Sequence, residues 1–340
     1  MLKKHFMWFV ALLFILSACN HHNTNQDQND GAKKEAKDSK TVTPKYREPL
    51  TGLGTDSKPI NRAVAVMINN HPLARPQSGI ASADVVYEVL AEGDITRFLA
   101  IFQSEQPKTI GPVRSAREYF IKLAKGYHTL YIAHGYSPEA KKMLMNGYID
   151  QLNGIQYDGT LFYRSKARKA PHNSYITYNN ILKGAKEKGY SMVTPPSSLP
   201  FASEKEIKQI TGQPVEKISI HYSKSNDFNA EYRFDSKLQK LKRYSGGKQT
   251  IDANNDQPVL IDNLFIVAAK HRLIDDYGRR AIDLTSGGEA YLIQKGKIRK
   301  VEWENINGRI LPYENGEPVK LVPGKTWINI VENLNTVTFE

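Results

Sequence analysis

The chain has 340 residues, 40% of them hydrophobic, with 47 lysines and arginines against 35 acids and a net charge of +12. One cysteine excludes an internal disulfide, and the surplus of cations points to an anionic partner. The length suffices for two modest domains with cores of their own.

The N-terminus reads as an export signal. "MLKK" is a positively charged start, and "HFMWFVALLFILS" is an apolar run too short for a comfortable membrane anchor. It ends in "LSAC", which resembles a bacterial lipobox and makes Cys19 the expected lipidation site. Residues 1–18 are then a signal peptide. Residues 19–59 hold almost no large apolar side chains and are expected to form a disordered tether. His21 and His22 fall in that tether and read as solvated. This places the protein on the outer face of the cytoplasmic membrane, lipid-anchored through Cys19.

Beyond the tether, strand and helix signals alternate up to residue 195. "AVAVMIN" reads as an apolar strand and "NHPLARPQSG" as a loop. "ADVVYEVLAEGDITRFLAIFQSE" reads as a hairpin turning at Gly93-Asp94, with a helix as the competing reading of its first arm. In "SAREYFIKLAKGY", Tyr119, Phe120, Leu123 and Ala124 recur at helical spacing, so a helix is expected from near Val113 to Gly126. "TLYIAHG" is a further strand. "SPEAKKMLMNG" is a helix capped by Ser137, and "TYNNILKGAKEKGY" is another.

"TPPSSLP" at 194–200 breaks the alternation and is the expected domain boundary. From 200 to 340 strands dominate, from "EKISIHY" to "KTWINIVE", with only 203–211 at helical period. The fold expected is a mixed α/β domain over 60–195, followed by a β-rich, barrel- or sandwich-like domain over 200–340.

Charge is uneven between the two. Residues 61–200 carry seventeen Lys/Arg against ten acids, and residues 201–340 twenty-one against nineteen. The basic excess therefore sits mainly in the first domain. Export argues against nucleic acid, so the expected polyanions are lipid headgroups, teichoic-acid phosphates or peptidoglycan carboxylates.

"IGPVRSAREYF" sets Arg114 and Arg117 three residues apart at the expected helix start, with Ser115 between them. Cations there oppose the helix dipole, so something negative should face them. That is either a ligand anion or a carboxylate such as Glu88 or Glu92. Asp84, Glu88 and Glu92 share a face as strand or helix. They could provide an acid and a base for glycoside cleavage, bind a divalent cation, or pair with Arg97, Arg114 and Arg117.

"YRSKARKAPHNSYI" clusters Arg164, Arg168 and Lys169 before Pro171-His172-Asn173, a loop that presents a histidine and an amide together. His134, at a strand end, could converge on the same place. No third metal ligand stands at a recognisable spacing, and there is no GxSxG elbow, P-loop or cysteine nucleophile. No cofactor is expected. Trp303 and Trp327 suit either a core or sugar stacking, and 275–280 reads as a polar turn.

Five stretches together, "RPQSGIASADVVYE", "EGDITRFLAIFQS", "IGPVRSAREYF", "RKAPHNSYI" and "LVPGKTWINIVE", resemble the YerB family of bacterial lipoproteins. That family is a two-part domain of unknown function found largely in Gram-positive bacteria. The resemblance covers residues 60–340 and implies an exported, lipid-anchored, two-domain envelope protein.

Three functions follow as expectations. The first is a membrane-tethered binder of teichoic acid, peptidoglycan or a similar wall polymer, accessory to cell-wall metabolism, with Arg97, Arg114, Ser115, Arg117, His134, Arg164 and Asn173 as ligand-binding residues. The second is a glycan or phosphodiester hydrolase using Glu88 or Glu92 with His172. The third is a scaffold that docks onto membrane-bound wall synthases.

Overall fold

The computed structural model of the chain describes residues 44–340. Cys19, the lipobox, His21, His22 and most of the expected tether lie outside the described residues. The folded body begins before Ile60, however. Leu50 has no exposed surface and joins the main core. The Pro49 carbonyl accepts from Leu199 N at 2.9 Å and the Thr51 carbonyl from Gly324 N at 2.7 Å. The tether expected to reach residue 59 therefore ends sooner. One leucine pins a polar run when the neighbouring backbone groups find partners.

A twelve-stranded mixed sheet organises the rest. Its first strands are β1 (Val64–Asn69), β2 (Val85–Glu92), β3 (Ile95–Phe102), β4 (Leu130–Ala133) and β5 (Gln151–Asn153). A small side sheet contains β6 (Phe162–Arg164) and β7 (Ser174–Thr177). All six residues of β1 are buried, as befits a strand covered on both faces. Alternation then sorts the side chains. Ala65, Met67, Tyr87, Leu99 and Ile101 meet helices α1 (Glu118–Lys125) and α2 (Pro138–Met145). Val64, Val66, Val86, Phe98 and Ala100 enter a second core with α3 (Tyr178–Glu187). The first arm of the hairpin is thus a strand, and the competing helix does not form.

The later region forms a second sheet from β8 (Lys217–Ile220), β9 (Ala230–Asp235) and β10 (Lys240–Ser245). Ile218, Ile220, Tyr232 and Leu241 from this sheet share the second core with the main sheet, which makes the β-rich part sandwich-like. The chain then returns to the main sheet as β11 (Asn263–Ala268), β12 (Gly288–Gln294), β13 (Lys297–Ile306), β14 (Arg309–Glu314) and β15 (Thr326–Val331). β15 runs parallel to both of its neighbours, β11 and β2. The regions expected on either side of 194–200 therefore share one sheet. β16 (Val337–Phe339) closes the edge of the second sheet against β8.

One expected element starts late. α1 begins at Glu118, with Arg117 as an extended N-cap, and not near Val113. The backbone of 113–116 is spent on distant partners instead. Val113 N donates to Ser174 O at 2.7 Å, Arg114 N to Met67 O at 2.9 Å and Ala116 N to Gly135 O at 2.9 Å. Arg114 is consequently outside the helix, and the dipole argument does not apply to it.

Candidate anion-binding site

An extended stretch points side chains three apart to opposite faces, so Arg114 and Arg117 do not converge as helical spacing requires. They meet different surroundings. Arg117 pairs with Glu92, and Arg97 donates to the same carboxylate at 2.6 Å. Arg97 also donates to the Ser115 carbonyl at 2.7 Å. The Ser115 hydroxyl is turned to the His134 carbonyl, at 3.1 Å. The internal salt bridge is therefore the answer for Arg117.

The three acids do not share a face throughout. A register shift between Leu90 and Glu92 breaks the alternation, and Glu92 turns to Arg97 and Arg117. Glu88 stays in the second core with no exposed surface. It accepts from Arg243 at 2.8 and 3.0 Å, from Thr96 at 3.0 Å, from Asn70 at 3.1 Å and from Trp327 at 3.2 Å. A carboxylate so enclosed and so fully bonded cannot reach a substrate, which corrects its reading as a catalytic acid. Asp84 is also buried, holding the backbone N–H groups of Gln103 and Ser104 at 2.6 and 2.9 Å. Trp303 and Trp327 are core residues too, 1% and 2% exposed, leaving no face for a sugar.

Arg114 is different. Among the described residues it has no carboxylate within salt-bridge distance, and its Nε is buried without a partner. Burial first, then the Arg97 charge, pushes its pKa down to about 10, opposite to the effect of an ion-pair partner. What surrounds it are histidines. β1 and β4 are parallel neighbours, so their C-terminal ends lie together, and the loops leaving them carry His71 and His134. Crevices at the carboxyl ends of parallel strands are where open α/β sheets bind ligands.

The loop between β6 and β7 adds His172, whose ring stacks on His71 with centroids 4.6 Å apart. The Asn69 amide nitrogen lies 2.8 Å from His172 Nδ1, and Leu73 N donates to His71 Nδ1 at 3.1 Å. Both Nδ1 atoms accept, which assigns the proton of each ring to Nε2. His134 is arranged the other way. Its Nε2 accepts from Arg164 at 2.9 Å, so its Nδ1 donates to Ser174 Oγ at 2.7 Å. All three histidines have pKa values lowered below 6.5, by burial first, then by arginine charges for His71 and His134 and by His71 ahead of the arginines for His172, with Arg114 acting on each. At neutral pH they are uncharged donors and acceptors.

The other predicted cations are already engaged. Arg164 is bidentate on Asp158, at 2.9 and 3.2 Å, and donates to Asn173 Oδ1 at 3.2 Å. Arg168 ties its loop to the Leu73 and Pro76 carbonyls at 3.2 and 2.6 Å. Of the expected ligand-binding residues, Arg114 and His134 come together with His172, while Arg164 and Asn173 brace His134. Arg97, Ser115 and Arg117 belong to the neighbouring salt-bridge cluster.

Two participants escape the sequence reading, His71 and Asn69. The signal was present as a pair of similar loops, Asn70-His71-Pro72 and Pro171-His172-Asn173, each joining a histidine to a proline and an amide. Gly154 escapes it as well. A Cβ there would run into the His134 ring, so only glycine lets that imidazole sit against the end of β5. Among the described residues no group of three His, Cys, Asp or Glu could hold a metal. What the arrangement offers is one uncompensated guanidinium beside two Nε2–H donors.

The fold and site define an α/β protein with a sandwich-like β-rich part and a cationic cradle at the ends of its parallel strands. The family described as a protein of unknown function (DUF3048) matches it in two parts, the N-terminal domain over residues 50–191 and the C-terminal domain over 218–328. "Putative lipoprotein YerB" of Bacillus subtilis (strain 168) is 46% identical over 299 residues, covering 86% of this chain and 88% of the relative. The crystal structure of the Bacillus subtilis YerB protein superposes with a TM-score of 0.82, covering 87% of this chain and all of that one. The chain belongs to the YerB family.

Proposed function

We propose that this protein is a membrane-anchored lipoprotein that binds an anionic envelope polymer through the Arg114 cradle, as an accessory to cell-wall metabolism. The observation that carries the reading is Arg114 itself. It is a half-buried arginine whose charge acts on His71, His134 and His172, and it lacks the Glu92 carboxylate that answers its neighbours Arg97 and Arg117. A bound phosphate or carboxylate would supply that charge in a charge-assisted, bidentate form. The anchor reading rests on the lipobox at Cys19 and on the lipoprotein name of the relative. Among the described residues no helix is long and apolar enough to cross a membrane.

Binding is favoured over hydrolysis by the state of the acids. Glu88 is bonded into the core and Glu92 into a two-arginine cluster, and His172 has an amide where a catalytic base would need a carboxylate to orient it. The test is to incubate the protein with isolated teichoic acid and with peptidoglycan, measure co-sedimentation, and analyse the supernatant by mass spectrometry. Retention on the polymer without fragments supports the binder. Released fragments that disappear with His172→Ala would establish the hydrolase instead.

A further inference from the structure

The histidine stack shares a wall with a cavity that the cradle does not use. His71 is followed by Pro72, and Pro72, Arg75, Pro76 and Gln77 line one side of a pocket of about 300 Å³. The opposite side comes from the end of β10 and the turn that follows it, up to Ile251. His71 also meets the edge of Phe228, at 6.1 Å between ring centroids, and the neighbouring Asp227 stands at the pocket rim. The anion cradle and the pocket are therefore adjoining compartments of one surface.

The lining has two characters. Pro72, Pro76 and Ile251 present C–H surface. Around them stand polar groups, and the Lys248 ammonium and the Gln249 amide have no hydrogen-bond or ion-pair partner among the described residues. A hydroxylated carbon unit, apolar at its C–H edges and hydrogen-bonding around its rim, matches such a lining. The volume is at the small end for ligand pockets, which suits a single polyol or sugar and not an acyl chain or a folded peptide. Asp227 offsets the charge of Arg75 on one side, and Lys248 on the other leaves the lining with a net cation that favours an anion at that end.

We propose that this pocket is a second subsite, holding the polyol or sugar unit that joins two phosphates in a phosphodiester-linked chain, with one phosphate in the Arg114 cradle and the next at Lys248. The assignment rests on the polymer-binding reading and narrows it to the class of ligand. Cradle and pocket in series read two successive features of a repeating chain, so an oligomer gains from occupying both.

The experiment is calorimetric titration of the full chain with inorganic phosphate, a glycerol-phosphate oligomer and a polyglutamate of similar charge. The titrations are repeated on Ile251→Trp, which fills the pocket, and on the surface variant Lys248→Ala/Gln249→Ala, which touches nothing in the core. The expected result is an oligomer affinity at least about tenfold above that of phosphate, reduced to the phosphate level in both variants, with phosphate binding itself unchanged in Ile251→Trp, which keeps Arg114 and Lys248. If Ile251→Trp fails to fold, the surface variant decides alone. Phosphate binding with no oligomer advantage, or an advantage untouched by the surface variant, overturns the subsite and leaves the cradle standing. Polyglutamate binding as tightly as the oligomer overturns the phosphodiester assignment. Absence of phosphate and oligomer binding overturns both readings.

Discussion

Glu88→Gln removes one charge from a fully buried carboxylate while keeping its size. The Glu88 side chain is 0% exposed and the Arg243 side chain 1%. Glutamine retains one acceptor oxygen but turns an NH2 group toward donors, Arg243 and Trp327 in one amide orientation and Arg243, Thr96 and Asn70 in the other. It also leaves the guanidinium buried without compensation. Breaking a buried pair from one side costs about 3–5 kcal/mol. In a chain of this size each kcal/mol moves the midpoint by roughly 2–4 °C, so Tm should fall by roughly 6–20 °C. Replacing both partners with apolar residues, Glu88→Leu with Arg243→Met, should recover much of that loss, because no lone charge remains. Thermal unfolding followed by circular dichroism, with urea titrations for ΔG, measures each corner of the cycle. A Glu88→Gln protein within about 1 kcal/mol of wild type would refute the structural assignment. Unchanged stability with loss of function would make Glu88 a working carboxylate after all.

Three further outcomes follow. Gly154→Ala should push the His134 ring out of place, weakening phosphodiester binding and shifting the imidazole resonances of His134 by NMR; an unmoved His134 signal would contradict the packing argument. Because arginine charges help hold His71, His134 and His172 below 6.5, a bound anion should raise them again, so binding takes up protons. Affinity for a phosphodiester oligomer, which does not itself titrate in this range, should then increase from pH 8 to pH 6, and affinity independent of pH would remove the histidines from the site. His271 is buried beside Arg280, and burial first and then that charge push its pKa to about 4. Glu332, 3.7 Å from its Nδ1, is taken by Arg280, so the contact is no ion pair. The unfolded chain thus takes up this proton at a higher pH than the folded one. Stability should fall as pH drops from about 6.5 to about 4, by at most about 3 kcal/mol, and His271→Phe should flatten that slope.

Much of the fold was legible because local pattern and tertiary role agree. The unbroken apolar run of β1, the two arms turning at Gly93-Asp94 and the Ser137 cap of α2 each declare themselves within a few residues. What escaped depends on distant partners. Residues 113–116 look helical in isolation, but Met67, Ser174 and Gly135 claim their backbone. The bulge that turns Glu92 from its face leaves no mark in composition, and the cation that answers Glu88 is 155 residues away. In the site, Arg114, His134 and His172 were visible as polar residues at element ends. His71 stands in a loop whose prolines and glycine declare only a turn, and its partner His172 is about a hundred residues away. That cations outnumber acids around the first arginine pair was readable; that one of the two arginines has its acid and the other does not required the structure.

The central claim is most directly tested by calorimetry of Arg114→Ala against wild type, with a glycerol-phosphate oligomer as ligand and circular dichroism confirming the fold. Losing a charge-assisted contact worth about 1.5–3 kcal/mol should weaken binding roughly ten- to hundredfold. Equal affinity in the two folded proteins would contradict the account.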